Sequence, residues 1–212
     1  DRSAPVRLGL RAGILTAAAL IPLQILAGDM HGLNTLEHQP AKVAAMEANW
    51  DTRGGVPLVL FALPDEQART NRYALEIPYG ASLILTHKFE GQVPGLNQYR
   101  GNHPPVAPLF WGFRIMVGLG MLMLLVSWSG AFFMRWGRGP QALPAWHLRL
   151  LALMTFAGWI ATLAGWYVTE IGRQPWLVTG VLSTADAVAA VPGPMLLSTL
   201  LLYLATYVLL LA

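Results

Sequence analysis

The chain has 212 residues, of which 55% are hydrophobic and 12% are charged, and its formal net charge is +3 at neutral pH. This composition is atypical of soluble domains and typical of proteins embedded in a membrane. The sequence contains no cysteine, which excludes disulfides, covalent c-type haem attachment and thiolate-bound zinc or iron–sulfur clusters. Many arginines flank apolar segments and form no basic stripe, so the positive charge does not indicate a nucleic-acid partner.

Four apolar segments are each close to the length of one membrane crossing, which takes about 20 helical residues. They are Leu8–Ala27, Leu109–Met134, Leu150–Val168 and Met195–Ala212. The sequence therefore predicts an all-α fold, a polytopic bundle of transmembrane helices. No small-residue cleavage pattern follows the first segment, so it does not indicate a removable signal peptide. The polar start without methionine and the apolar end lead us to expect a part of a larger subunit.

Arginines beside two of the connections predict the orientation in the membrane. They are Arg2, Arg7 and Arg11 at the first segment, and Arg135, Arg138 and Arg149 between the second and third. The positive-inside rule places both groups in the cytoplasm. The predicted organisation is a first transmembrane helix with a cytoplasmic stub (1–27), an extracytoplasmic loop (28–108), a second helix (109–134), a cytoplasmic loop (135–149), a third helix (150–170), an extracytoplasmic connection (171–194) and a fourth helix (195–212).

The predicted loop 28–108 is too long for a simple connection, and loops of this length are usually functional or disordered. Its apolar content favours an ordered segment. Gln39–Trp50 is predicted to be a helix, because Pro40 suits the first turn and alanine-rich sequence follows it. Val56–Leu63 is either a short strand or a re-entrant helix, since periodicity does not distinguish the two in a short apolar run.

The segment Gly165–Trp176 places ionisable residues at the end of the third apolar run. Glu170 and Arg173 lie there, and Trp166 precedes the glutamate by about one helical turn. An ionisable side chain at such a position is costly and is by default a functional candidate that requires a partner. The alternative is a carboxylate that only extends to the membrane surface.

Arg114 and Met116 lie near the predicted extracytoplasmic end of the second helix. A thioether is a soft ligand that suits haem iron, although a methionine in a membrane helix is more often a packing residue. Arg114 favours the ligand interpretation, because a guanidinium at that depth requires an anion such as a haem propionate. Gly112, Gly118 and Gly120 allow close approach of either a neighbouring helix or a flat macrocycle.

Lys42 and Glu47 are the charged residues of the predicted loop helix. Their spacing corresponds to about 140° around a helix, so the two do not share a face. They are either solvated charges or the hydrogen-bond donor and proton acceptor of a redox substrate. The histidines lie outside the apolar runs and lack metal-ligand spacing, so no metal is assigned to them. His147 in particular is expected to be solvated in the cytoplasmic loop.

Four motifs occur in an order that closely resembles subunit I of the cytochrome bd quinol oxidases. They are Gly28–Asp29, Gln39–Glu47, Phe113–Gly120 and Gly165–Trp176. The last motif is highly specific, and together the four extend over most of the chain. The compact loop 28–108 resembles the short-loop branch of the family, which includes the cyanide-insensitive oxidases. The resemblance corresponds to roughly the second half of the subunit.

The resemblance implies a respiratory-chain enzyme that oxidises ubiquinol or menaquinol and reduces dioxygen to water. The implied cofactors are a low-spin haem b, a high-spin haem b and a haem d, or a further haem b in place of haem d. By position, Met116 matches a ligand of the low-spin haem, and Glu170 matches an axial ligand of a high-spin haem. Trp166 matches the aromatic residue that lies between haems.

Further residues carry the resemblance into the surroundings of these sites. Arg114 and Arg173 match arginines near the haems, whereas Lys42 and Glu47 match loop residues implicated in quinol oxidation. The histidine ligands of the family belong to earlier helices that this sequence lacks, so the remaining part of subunit I is an implied partner. Subunit II is a second implied partner, and a small single-helix subunit is an optional third.

The family resemblance also implies a location in the bacterial cytoplasmic (inner) membrane, with loop 28–108 facing the periplasm. Quinol oxidation there would generate a proton motive force without a pump. Two other interpretations compete from the residues alone. A non-catalytic helical membrane scaffold or transporter subunit would use the intramembrane charges to line a substrate path. A membrane-anchored extracytoplasmic binding loop would explain loop 28–108 but not Arg114, Met116 and Glu170 together.

Overall fold

A computed structural model describes residues 3–137 and 139–211 of the chain. Two arginines of the predicted cytoplasmic groups, Arg2 and Arg138, lie outside the described residues. The chain divides into two compact units, Asp1–Pro175 and Trp176–Ala212. The predicted site residues all belong to the first unit.

The prediction of a helical membrane protein is confirmed. The helices are α1 (Ala4–His38), α2 (Pro40–Met46), α3 (Gly80–Thr86), α4 (Val106–Trp136), α5 (Ala145–Leu153), α6 (Ala157–Ile171) and α7 (Gly193–Leu211). Within the described residues, four helical segments are long and apolar enough to cross a membrane: α1, α4, the segment Ala145–Ile171 and α7. A single 3₁₀ turn, Met154–Phe156, joins α5 to α6 within the third of these.

The first helix extends well beyond the expected end of the apolar run at residue 27, and it ends at His38. The fall in hydropathy after Ala27 indicates where apolar sequence ends, but it does not break the hydrogen-bonded helix. Pro40 supplies the break, because the residue before a proline avoids helical geometry. Gln39 accordingly leaves the helical conformation, with φ −137° and ψ 60°, and α2 begins directly after it.

The loop contains an antiparallel hairpin, so Val56–Leu63 enters a strand and not a re-entrant helix. Strand β1 (Leu58–Asp65) pairs with β2 (Thr70–Ile77), and the register joins Leu58 to Ile77 and Asp65 to Thr70. The Asp65 carboxylate accepts hydrogen bonds from the backbone N–H groups of Gln67 and Ala68, which closes the turn. The predicted helix Gln39–Trp50 is shorter in the structure, where α2 ends at Met46.

The helices of the first unit pack as antiparallel neighbours. Near one end, the Trp128 indole of α4 donates a hydrogen bond to the Ala18 carbonyl of α1 at 3.0 Å. Near the other end, Gly112 of α4 lies against Val168 of α6. The beginning of α1 and the end of α4 therefore share one end of the unit. The beginning of α4 and the end of α6 share the opposite end, where the loop lies.

The loop packs onto that second end through one apolar cluster. Fully buried Leu96 of the loop joins Leu109 and Phe110 of α4 and Val168 of α6 in this cluster. A carboxylate oxygen of Glu66, at the hairpin turn, accepts a hydrogen bond from the Val106 N–H at 2.7 Å. This contact satisfies one of the unpaired amides at the beginning of α4, where the helix dipole favours a negative charge. The loop is thus anchored to the same helix ends that carry the candidate site.

His147 corrects one expectation, because it is fully buried and not solvated. It lies in the first turn of α5, inside the third membrane-length segment. Its Nε2 donates a hydrogen bond to the Val126 carbonyl of α4 at 3.0 Å. The ring fits against Gly130, where a Cβ atom would lie 2.9 Å from the histidine Cε1. Contact with the neighbouring helix therefore decides its environment, which hydropathy along the chain does not reveal.

The second unit contains a short hairpin and the last helix. Strands β3 (Trp176–Val178) and β4 (Leu182–Ser183) pair antiparallel. Helix α7 follows and has 19 residues, enough for about 28 Å of helix. This length agrees with the predicted fourth crossing over 195–212, although the helix begins two residues earlier.

Candidate functional site

Glu47 and Arg114 form a buried ion pair between the loop and α4. The Glu47 Oε2 and Arg114 Nη2 atoms are 2.7 Å apart, and the two side chains retain only 8% and 11% of their exposure. Arg114 Nε also donates a hydrogen bond to the Val59 carbonyl of β1 at 2.6 Å. One guanidinium thus connects α4 with the end of α2 and with the hairpin.

Aromatic rings surround Arg114 and shield the ion pair from water. Its guanidinium carbon lies 4.8 Å from the ring centre of Phe110 and 5.4 Å from that of Phe113. Aromatic faces attract a cation and exclude water, which strengthens the attraction to a carboxylate. The sequence predicted that Arg114 requires an anion, and in this chain Glu47 supplies it. Glu47 is therefore not a solvated charge.

Met116 lies one half-turn beyond Arg114 and faces α6. A Cβ atom built on Gly165 would lie 2.8 Å from the methionine Sδ, so the thioether rests on bare backbone. Gly112 similarly lies against Val168 on α6, which supports the helix-approach alternative for this glycine. Gly118 has open space around its Cβ position.

Glu170 and Arg173 pair at the end of α6. The Glu170 Oε1 and Arg173 Nη2 atoms are 3.3 Å apart, and the two side chains are 45% and 43% exposed. Trp166 lies one helical turn before the glutamate and is more than half exposed, with its ring 5.5 Å from that of Tyr167. An exposed ion pair of this kind contributes little to stability. Because both side chains are nearly half exposed, both can make further contacts.

Lys42 points towards this second pair and away from Glu47. A Cβ atom on Gly172 would lie 2.6 Å from the Lys42 Cε, so the lysine stem crosses the bare backbone at the end of α6. Burial lowers the pKa of the Lys42 ammonium, the positive charge of Arg173 lowers it further, and Glu170 opposes both effects. Because Lys42 and Glu47 do not share a face of α2, Lys42 reaches the end of α6 whereas Glu47 reaches α4.

The structure gathers the seven predicted residues into two neighbouring groups. Arg114 and Glu47 lie where α4 meets the loop, with Met116 a half-turn further along α4 and facing α6, whereas Trp166, Glu170, Arg173 and Lys42 lie where α6 ends. Sequence reasoning missed the Val59 carbonyl and the contacts made at Gly165 and Gly172. The two glycines stand in the most specific motif of the chain, but only the packing of the helices shows what they contact.

The donor set fits a haem in part. Met116 offers one soft ligand and Glu170 one carboxylate ligand, and the half-exposed Arg173 beside Glu170 suits a propionate. Among the described residues, no three side chains of histidine, aspartate or glutamate converge as a metal site. His147 is held by α4 at the opposite end of the unit, so it supplies no ligand to either group. Met116 and Glu170 are thus the two side chains of these groups whose chemistry suits haem iron.

The fold and site define a polytopic helical membrane protein whose extramembrane loop is ion-paired to a helix that carries a potential haem ligand. Residues 2–212 match the sequence model of the family described as cytochrome bd terminal oxidase subunit I. The chain belongs to this family, and the resemblance found in its motifs is confirmed.

Individual relatives agree with this assignment. The chain is 34% identical to cytochrome bd ubiquinol oxidase subunit 1 of Bacillus subtilis strain 168, over 77% of this chain and 37% of the relative. It is 29% identical to cytochrome bd-II ubiquinol oxidase subunit 1 of Escherichia coli K12, over 92% of this chain and 50% of the relative. That alignment extends over 261 positions, more than the 212 residues of this chain, so the relative carries inserted residues.

A solved structure shares the fold. The bd oxidase from Geobacillus thermodenitrificans superposes with a TM-score of 0.78 and 30% identity, over 97% of this chain and 46% of that chain. The chain thus spans between about one third and one half of the length of the relatives it matches.

Proposed function

We propose that this chain forms part of a haem-containing terminal oxidase that oxidises quinol and reduces dioxygen to water. The ion pair between Glu47 and Arg114 is the observation that carries the proposal. It joins the loop carboxylate to α4 two residues before Met116. A site for quinol oxidation needs a proton acceptor beside an electron acceptor, and this pair brings the two functions together.

Two haems would be held in part by residues of this chain. Met116 would ligate a low-spin haem b, and Glu170 would ligate one of two high-spin haems, with Trp166 one turn away. When bound, these groups supply one-electron transfer and the reduction of dioxygen. The two high-spin haems are a haem b and a haem d or further haem b, and the one that Glu170 does not ligate would be held by residues outside this chain. Arg173, which is 43% exposed, would supply positive charge for a propionate, whereas Arg114 is already paired with Glu47.

The loop residues would act on the quinol hydroxyl groups. Glu47 accepts a hydroxyl proton at a carboxylate oxygen, and the neighbouring Arg114 fixes that carboxylate in position. Lys42 donates a hydrogen bond to the developing quinone oxygen. Its lowered pKa makes the ammonium a better proton donor than a solvated lysine. Both ubiquinol and menaquinol have the hydroxyl groups that this chemistry requires.

Charge and packing support one orientation in the membrane. Arg7, Arg11 and Arg135 lie at the end of the unit opposite the loop, which suits the cytoplasmic face of the bacterial inner membrane. Protons from quinol would then leave on the periplasmic side, while protons for water formation come from the cytoplasm. This arrangement generates a proton motive force without pumping. The remaining part of subunit I, which would supply histidine ligands, subunit II and a small single-helix subunit complete the assembly.

The haem content of the protein tests the proposal. The full-length subunit, purified with its partners, is expected to give a positive pyridine haemochrome assay and quinol-driven oxygen uptake. Met116→Leu is expected to abolish the low-spin haem absorption while the high-spin absorption remains. Met121→Leu, at an exposed methionine of the same helix, is a matched control that retains both. Absence of haem from the unmodified protein would instead favour the scaffold or transporter interpretation.

A further inference from the structure

Gly165 lies directly opposite Met116 where α4 and α6 are in contact. A Cβ atom at this position would lie 2.8 Å from Sδ and 3.7 Å from Cγ of the methionine. Real Cβ atoms do not approach heavy atoms within 3.0 Å, and ordinary contact begins at 3.4 Å. The thioether therefore occupies space that is available only because residue 165 has no side chain.

A methyl group at residue 165 would displace side-chain atoms of Met116 only. The atoms near the Gly165 position belong to the flexible end of one side chain, not to backbone. Gly112, by contrast, faces Val168 with the Ala164 carbonyl just beyond it. A methyl group at residue 165 would thus move the sulphur without forcing the two helices apart, since methionine has three rotatable side-chain bonds.

Helix propensity does not account for a glycine at this position. Gly165 lies inside α6, where alanine stabilises a helix relative to glycine. Gly158 belongs to the same helix, and a Cβ atom there would meet nothing within 4 Å. Gly158 therefore separates the general effect of replacing a glycine in α6 from the specific effect of filling the space beside Met116.

We propose that Gly165 is a positioning residue that determines where the Met116 thioether lies. This inference rests on the proposed function, in which Met116 ligates the low-spin haem b. Because a thioether ligand raises the potential of haem iron, displacement of the sulphur weakens the ligand bond and lowers that potential. Residue 165 thus affects the electron acceptor for quinol without touching the substrate.

The experiment compares Gly165→Ala, Gly158→Ala and Met116→Leu in the full-length, haem-loaded protein in native membranes. Redox titration of the low-spin absorption gives its midpoint potential, and pyridine haemochrome gives total haem. Gly165→Ala is expected to lower the midpoint potential, or to convert low-spin to high-spin absorption, at unchanged total haem. Gly158→Ala is expected to change neither quantity. An unaltered midpoint potential in Gly165→Ala, with Met116→Leu affected, would overturn the inference.

Different results would contradict the ligand role of Met116 and the positioning role of Gly165. If Met116→Leu leaves the low-spin absorption intact, then the ligand assignment of the proposed function is wrong. If Gly165→Ala does not accumulate, then the double variant Gly165→Ala/Met116→Ala decides the question, because it removes the sulphur and opens the space. Accumulation of the double variant supports the steric contact. Failure of the double variant as well would show that residue 165 is required for another reason, and would overturn the inference.

Discussion

Glu47 and Arg114 are 67 positions apart in the sequence, and their Oε2 and Nη2 atoms are 2.7 Å apart in the fold. The pair is the main polar connection between the loop and α4, and it lies among aromatic and backbone groups that exclude water. The pair fixes a carboxylate of the loop against a membrane-length helix. The contribution of this ion pair to the free energy of unfolding can be measured separately from activity.

Removal of one member of this pair is expected to destabilise the protein strongly. Arg114→Met leaves a buried carboxylate unpaired, which costs about 3–5 kcal/mol. The double variant Arg114→Met/Glu47→Leu is expected to recover most of that loss, because no uncompensated charge remains. Chemical unfolding in detergent measures both effects. Equal destabilisation by the single and double variants would show that the ion pair does not govern stability at this junction.

Glu170→Ala is expected to alter the high-spin haem absorption with little loss of stability. The Glu170–Arg173 pair is nearly half exposed, and exposed pairs contribute about 0–1 kcal/mol. A change in absorption at an unchanged unfolding temperature therefore assigns Glu170 to the haem and not to folding. Glu76→Gln, an exposed carboxylate of β2, serves as the control. Unaltered haem content and oxygen reaction in Glu170→Ala would remove its assignment as a ligand.

Lys42→Met is expected to raise the unfolding temperature at neutral pH while lowering quinol-driven activity. Burial lowers the pKa of Lys42 below its ordinary value of 10.5, so between the two pKa values the unfolded chain binds more protons than the folded chain. Stability of the unmodified protein therefore rises with pH in that window. The Lys42→Met variant lacks this rise. Its advantage in free energy of unfolding over the unmodified protein therefore decreases as the pH approaches 10.5. A difference that stays constant with pH would contradict the buried environment of Lys42.

His147→Ala is expected to destabilise the bundle by about 2–5 kcal/mol, as other large-to-small replacements in cores do. The variant removes a fully buried ring and its hydrogen bond to the Val126 carbonyl. His31→Ala, an exposed histidine of α1, should change stability by about 0.5 kcal/mol or less. Thermal unfolding of the two variants side by side checks the expectation. Similar unfolding temperatures would mean that His147 is solvated, as the sequence alone had indicated.

Helices and their partners were predictable to different extents. Apolar length identifies the membrane-length helices, because the hydrocarbon core requires about 20 residues of apolar helix. It does not show that α1 continues to His38, since polar sequence can extend a helix beyond the apolar run. The choice between strand and re-entrant helix at Val56–Leu63 required the pairing partner β2, which lies beyond that segment in sequence.

The site residues were named from motifs, but their contacts depend on the packing of distant segments. A buried guanidinium is costly without a partner, so the sequence predicts that Arg114 pairs with an anion. The identity of that anion, Glu47, depends on how the loop folds onto α4. The prediction for His147 was wrong because the arginines on either side, Arg135 and Arg149, indicate a cytoplasmic loop, whereas in the fold α4 packs against the ring. Glycine has no side chain that would suggest a function, so a role for Gly165 can be inferred only from its contact with Met116 on α4.

The central claim is that Glu47 accepts the quinol proton beside the haem held by Met116. Haem reduction in Glu47→Gln, driven either by quinol or by dithionite, tests it most directly. Glutamine can still accept a hydrogen bond from Arg114 but cannot take up the proton. We predict that quinol-driven reduction is lost while dithionite reduces the haems to the level of the unmodified protein. Quinol-driven reduction at the unmodified rate would contradict the account.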